Sequence, residues 1–307
     1  MNPKILVIGS NSFSGSFFVN SLRENNFSDI YCISRSDEPI NALAPHQWPI
    51  SGSYSFKKFH LVNDFDTLKE YINKIKPNYI FNFAAQSMVA ESWNSPEDWF
   101  MTNTVGFAKL LKLLNVSDYL DKYIHISTPE VYGNCEGSVD ESFPFNPTTP
   151  YASSRAAADM LLKNFYEAYS FPSLSTRAAN VYGPGQQLYR IIPKTIFSIL
   201  NKEKLKLHGG GKSTRSFIHM KDVSAATLGL GFKKGLIGET FHISTNDFIS
   251  IRSLVEMICK KMGVLFDDFV EIGEERLGKD LNYQLSSKKL KAEIEWKSQI
   301  SIEDGLS

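Results

Sequence analysis

The stretch KILVIGSNSFSGSFFVNSLREN, Lys4 to Asn25, decides the fold. It begins with β-favouring apolar residues and runs into a turn with Gly9 and Gly15 in the outer positions and Ser12 in the middle one. Its remainder, SFFVNSLREN, reads as a helix. Glycine lets the backbone come close to a pyrophosphate, and a helix that opens there aims its N-terminal amides at the anion. Strand, glycine turn and helix in this order make the first unit of a dinucleotide-binding fold. Gly9, Asn11, Ser12, Phe13, Ser14 and Gly15 are therefore the expected phosphate cradle, with Ser12 leaving it less open than a third glycine would.

Outward from this unit, short β-rich runs alternate with helical patterns. IYCIS (Ile30 to Ser34), YIFNFAA (Tyr79 to Ala85) and YIHIST (Tyr123 to Thr128) are separated by helix-period segments such as TLKEYINKI and TVGFAKLLKLL. The repetition implies right-handed βαβ crossovers and a doubly wound parallel α/β sheet of the Rossmann type. Beyond Val181 the pattern loosens into Gly- and Pro-marked loops among helices. The expected division is a dinucleotide-binding domain over 1–180 and a smaller α/β substrate lobe over 181–307. ETFHIST (Glu239 to Thr245) is a late strand expected to return to the sheet.

In such a sheet ligands gather at the carboxyl ends of the strands, so the residues just beyond them carry the chemistry. The second strand ends ISRSD, with Ser34 and Arg35 where an NAD-preferring site has a carboxylate for the ribose 2′-hydroxyl. A hydroxyl and a guanidinium suit a 2′-phosphate, so NADP is expected over NAD. Asp37 remains the residue through which NAD would be held. At the end of YIFNFAA, Phe83, Ala84 and Ala85 are expected along the cofactor, the alanines small enough to let its nicotinamide half pass close to the backbone.

The next strand ends STPEVYG. Thr128 and Glu130 stand there as a hydroxyl and a candidate general base, provided burial raises the carboxyl's pKa. In TPYASSR, Tyr151 and Arg155 are one helical turn apart and share a face. A guanidinium near the phenol, together with a cationic nicotinamide ring, would bring Tyr151 towards a usable base near neutrality.

Composition excludes other classes. Among 307 residues, Lys plus Arg equals Asp plus Glu at 33 each, so no net field recruits nucleic acid or an acidic membrane surface. Cys32, Cys135 and Cys259 are odd in number and widely spaced, which suits a reducing cytosol, and no metal site is expected. No apolar run reaches the ~18 residues that span a bilayer, and the start MNPKILVIGS has no signal-peptide pattern. A soluble cytoplasmic protein is expected.

Taken together, GSNSFSG, NFAAQS, STPEVYG, YASSR and RAANVYGPG resemble the extended short-chain dehydrogenase/reductase family, in its nucleotide-sugar 4,6-dehydratase branch. The resemblance implies a triad of Thr128, Tyr151 and position 155, where the family has a lysine that binds the nicotinamide ribose. It implies Glu130 as the base of an elimination, with Pro129 where dTDP-glucose dehydratases have aspartate. AAQS and the lone glutamate look like the GDP-mannose type. The segment ERLGKD is instead similar to the diphosphate-binding segment of the dTDP-glucose type and would make Arg276 the phosphate arginine. Ser87, Asn180, Arg190 and Arg215 are the remaining implied contacts to a nucleotide-diphosphate sugar. The resemblance further implies a homodimer built on a four-helix interface that includes the Tyr151 helix. A 4-epimerase and a non-catalytic dinucleotide sensor are the alternatives on the same fold.

Overall fold

In a computed structural model, residues 2–135, 137–274 and 284–307 are described. Strand β1 (Ile5–Ile8) is wholly buried because both faces of its sheet are covered. Alternate side chains go to opposite sides: Ile5 and Val7 join one hydrophobic cluster, Leu6 and Ile8 another. β2 (Ile30–Ser34), β3 (Ser55–Lys58), β4 (Tyr79–Asn82) and β5 (Lys122–Ile126) follow. With β7 (Ser173–Ala178) and β11 (Glu239–Ile243) they form a seven-stranded sheet ordered β11-β7-β5-β4-β1-β2-β3, parallel throughout. The doubly wound parallel sheet expected from the sequence is therefore present. The late strand near Glu239 joins it at the edge beside β7.

The strand order reverses between β1 and β4, the switch point at which such sheets bind ligands. Gly9 ends β1 there at φ +81°, and a Cβ on it would lie 2.6 Å from the Ala84 amide nitrogen. Only glycine lets the two strand ends approach this closely. Helix α1 (Phe13–Glu24) starts at once, with Ser12 as its N-cap. The Ser12 hydroxyl accepts from the Gly15 amide at 3.1 Å and donates to the Gly9 carbonyl at 2.7 Å. The serine thus ties the turn to the helix it opens. Phe17, Phe18, Val19 and Leu22 of α1 are buried, each contributing about 1.5–3 kcal/mol. The Phe18 ring packs 4.5 Å from Phe81 and 5.2 Å from Phe83.

The opposite face of the sheet is covered by α2 (Phe65–Ile75), α4 (Phe107–Leu114) and α5 (Pro150–Tyr169), and α3 (Pro96–Phe100) packs against α5. A π-helical stretch, Met101–Gly106, joins α3 to α4. Helix α5 begins with Pro150 behind the N-cap Thr149, whose hydroxyl accepts from the Ala152 amide at 3.1 Å. Its buried face runs Tyr151, Arg155, Asp159 and Leu162, with Ala152, Ala156 and Ala158 small enough to bring the helix close to the sheet.

Two parallel residues each of β6 (Ser138–Val139) and β14 (Gln284–Leu285) pair beside this core. Farther on, β8 (Asn180–Tyr182), β10 (Thr214–His219) and β12 (Phe248–Ser250) form a three-stranded sheet, and β9 (Leu205–His208) pairs with β13 (Val270–Gly273). These pack with α6 (Ile191–Leu200) and α8 (Ile251–Lys261) around clusters of their own, while α7 (Met220–Phe232) lies beside α1 in the main core. No helix among the described residues is long and apolar enough to cross a membrane.

Candidate active site

The switch point opens into a cleft of about 230 Å³ lined by Asn11, Ser12, Ser34, Arg35, Ala84 and Ala85 among others. Asn11 shapes its rim. Its amide nitrogen donates to Ser34 Oγ at 2.9 Å, and its side chain donates to the Ser36 and Asp37 carbonyls at 2.9 and 3.0 Å. The loop after β2 is thereby fastened to the glycine turn. Asp37 points away and pairs with Lys58 at 2.8 Å, which lowers its carboxyl pKa. Phe13 departs from the expected cradle, because its ring is buried in the core with Phe17, and only its backbone remains for a ligand. Phe83 lines the cleft and packs in the same core.

Thr128 and Glu130 lie just past β5. Thr128 caps a 3₁₀ turn, Pro129–Tyr132, by accepting from the Glu130 amide at 3.3 Å. Proline suits the first position of that turn, where its missing N–H costs nothing, which gives Pro129 a structural role. Helix α5 brings Tyr151 near this turn, with Thr128 close enough to the phenol to lower its pKa. Its field comes from Glu130, Arg155 and Arg190.

The direction of the Tyr151 shift corrects the sequence expectation. Burial pushes the phenol up to about 12, and Glu130 adds to the rise. Arg155, Thr128 and Arg190 pull it down without prevailing. The phenol is 7% exposed, so desolvation of its anion outweighs one buried guanidinium.

Arg155 is also not where a ribose-binding group would be most available. It is 2% exposed, and one guanidinium nitrogen donates to the Ile126 carbonyl at the end of β5 and lies 3.3 Å from His125 Nε2. The guanidinium therefore clamps the strand that carries Thr128 and Glu130. Behind it runs a buried polar seam that sequence reading missed. His125 Nε2 is 3.5 Å from Asp159, Asp159 accepts from Arg177 at 2.8 Å and from Ser127 at 2.7 Å, and Arg177 also donates to the Tyr132 hydroxyl. The Tyr132 hydroxyl meets His242 Nε2 at 2.7 Å. Asp159 follows Arg155 by one turn and could have been read as its ion-pair partner. Its nearest cation comes instead from β7.

Asn103, in the π-helical stretch, was missed as well. It receives the Gln86 amide at 2.8 Å and donates to the Gln86 carbonyl and to Ser154, fastening the loop after β4 to α5. Its only signal in the sequence is a polar residue inside an apolar helical period.

The remaining implied substrate contacts lie on several elements. Arg190 is exposed at the start of α6, and Ser87 is exposed in the loop after β4. Asn180 opens β8 opposite Phe217, and Arg215 is buried two residues earlier on β10. Arg276 lies outside the described residues. No group of His, Cys, Asp and Glu that could hold a metal occurs among the described residues.

A glycine-turn cleft at the switch point with a threonine, a glutamate and a tyrosine beyond β5 narrows the comparison with known proteins. The family described as GDP-mannose 4,6 dehydratase matches residues 6–307. The chain belongs to this family. It is 31% identical to the low-salt glycan biosynthesis protein Agl12 of Haloferax volcanii, covering 98% of this chain and 96% of that one. It is 30% identical to the dTDP-D-glucose 4,6-dehydratase of Homo sapiens, over 99% of this chain and 87% of the other. The solved dTDP-glucose 4,6-dehydratase of Bacillus anthracis, in complex with NAD, matches with a TM-score of 0.88 and 30% identity, covering 99% and 94% of the two chains. Dehydration of a nucleotide sugar across C4 to C6 is the activity this membership supports.

Proposed function

We propose that the protein is a lyase that converts a nucleotide-diphosphate hexose into its 4-keto-6-deoxy form with a bound dinucleotide, NADP in preference to NAD. The observation that carries this reading is the placement of Thr128 and Glu130 on the turn past β5 with Tyr151, at the start of α5, within the electrostatic reach of Glu130, Arg155 and Arg190. The cradle fits a dinucleotide: a Cβ on Gly9 or on Gly15 would collide with backbone atoms at 2.6 and 2.3 Å. The preference for NADP rests on Ser34 and Arg35 lining the cleft while Asp37 is engaged by Lys58. A dinucleotide held on the Gly9 to Gly15 turn would supply the acceptor for the C4 hydride and its donor to C6.

The chain's own groups handle the protons. Tyr151 takes the C4 hydroxyl proton, and Thr128 hydrogen-bonds the same oxygen. Tyr151 is pushed up to about 12 even with Arg155 and Arg190 beside it, so the positive charge of a bound oxidised nicotinamide ring would be needed for it to act near neutrality. The resulting C4 ketone makes the C5 proton acidic, and Glu130 removes it. Pro129 has no proton to give, so Glu130 also protonates the departing C6 hydroxyl, and water leaves. Arg190 and Arg215, with Arg276, are placed by this reading on the diphosphate.

The division at about residue 180 into dinucleotide and substrate parts belongs to the same proposal. So does a homodimer: Phe100, Met101, Val105 and Met160 are exposed apolar side chains on α3, the π-helical stretch and α5, which pack together. Cys32, Cys135 and Cys259 are buried without disulfides, in keeping with a reducing cytoplasm.

Mass spectrometry after incubation with GDP-, dTDP-, UDP- and CDP-hexoses tests the activity. One of them should yield a product lighter by one water, and Glu130→Gln should abolish it. An isobaric product would make the protein an epimerase. Binding without turnover of any of the four would make it a sensor.

A further inference from the structure

The adenosine end of the cleft contains a histidine that neither motif nor family reading assigned. The strand order places the ends of β2 and β3 on the side of the glycine turn away from Tyr151, so this side faces the adenosine half of a dinucleotide. His60, two residues past β3, lines the cleft there together with Arg35, and no carboxylate lines it among the described residues.

The orientation of the His60 ring is determined by its backbone neighbours. The Val62 and Asn63 amides both donate to His60 Nδ1 at 3.2 Å, and the His60 amide donates to Asp64 at 2.8 Å. Two N–H groups aimed at Nδ1 require a lone pair there, so the ring proton sits on Nε2. No described residue accepts from Nε2. The ring therefore presents a fixed hydrogen-bond donor at the cleft wall. A carboxylate at the same point would present only acceptors.

We propose that His60 determines cofactor specificity, its Nε2–H donating to an acceptor on the adenosine half: an oxygen of a 2′-phosphate or a ring nitrogen of the base. The inference deepens the NADP reading and rests on the dinucleotide part of it. His60 would act beside Arg35, the ring contributing direction and the guanidinium charge.

The test is calorimetric titration of the full chain, freed of nucleotide, with NADP⁺, NAD⁺ and 2′,5′-ADP. His60→Asn is the informative variant, because its side-chain oxygen still accepts from the Val62 and Asn63 amides but its amide does not reach the ligand. If the acceptor is the 2′-phosphate, His60→Asn weakens NADP⁺ and 2′,5′-ADP roughly 10- to 100-fold and leaves NAD⁺ unchanged. If it is the base, all three weaken by one common factor of roughly 5- to 10-fold. Affinities within twofold of the parent for all three ligands, in a folded variant, overturn the proposal. His60→Asp covers the case in which the first variant does not fold: repulsion should then weaken NADP⁺ more than NAD⁺, and equal affinities for both, each unchanged from the parent, overturn it. A parent chain that prefers NAD⁺ ends the NADP reading, whereas the His60 role is judged by the ratio of parent to variant.

Discussion

Arg155 and Arg177 lie along one seam between α5 and the sheet, at 2% and 3% exposure, yet their surroundings are opposite. Arg177 meets the Asp159 carboxylate through two nitrogens, at 2.8 and 3.2 Å, and donates a further bond to Tyr132. The aromatic rings of Tyr132 and Phe145 each lie 5.0 Å from it. Arg155 has a carbonyl and an imidazole, and its Nε has no partner among the described residues. A buried cation cancelled on the spot holds structure together. One without a bonded carboxylate spreads its field over its neighbours, and here these are Asp159, His125 and Tyr151.

The comparison can be broken in acid. His125 and His242, at the two ends of the Arg177 seam, are each lowered to about 3, first by burial and then by neighbouring cations, Arg155 in the lead for His125 and Arg177 for His242. Their unfolded forms take protons below about 6.5 while the folded forms do not. Stability should therefore be complete above 6.5 and fall by several kcal/mol as the pH drops towards 3. Urea unfolding at stepped pH measures this, and His242→Gln should flatten the slope. A stability that stays level between pH 6.5 and 4 would contradict the seam as drawn.

Removing the cation of the structural half is the next largest effect. Arg177→Met leaves Asp159 charged and buried, at an expected cost of about 3–5 kcal/mol in chemical denaturation. A cost under about 1 kcal/mol would make Arg177 no more structural than Arg155.

Arg155→Ala should act on turnover instead. Loss of a guanidinium that lowers the phenol's pKa reduces rate by roughly 10- to 1,000-fold, corresponding to a shift of about 1–3 units. The pH profile of turnover should move to higher pH by the same amount. Smallest is Arg155→Lys, which keeps the charge and should remain within about tenfold of the parent. If the alanine and lysine variants lose the same activity, the clamp on Ile126 matters and the charge does not.

The two arginines also mark how far the sequence could be read. The Arg155 position was legible because it stands one helical turn from Tyr151 behind a proline, a local signal. Arg177 was not, because SLSTRA looks polar and no alternation marks it as a strand. It is nonetheless interior, held between β5 and β11, with its polar groups engaged by partners from elsewhere in the chain. The short SFKK of β3 escaped for the opposite reason: it is an edge strand, largely exposed.

By itself the sequence determined the β1-turn-α1 unit, the parallel sheet, and the places of Thr128, Glu130 and Tyr151 at its carboxyl edge. Each rests on hydrophobic period, glycine or proline within a few residues, which is where backbone conformation is decided. Only the tertiary structure decided that the Tyr151 phenol rises, that Arg155 turns to Ile126, that Asp159 belongs to Arg177, and which nitrogen of His60 the Val62 and Asn63 amides engage. Desolvation and hydrogen-bond direction depend on the atoms packed around a side chain, and in the seam these come from strands far apart in the chain.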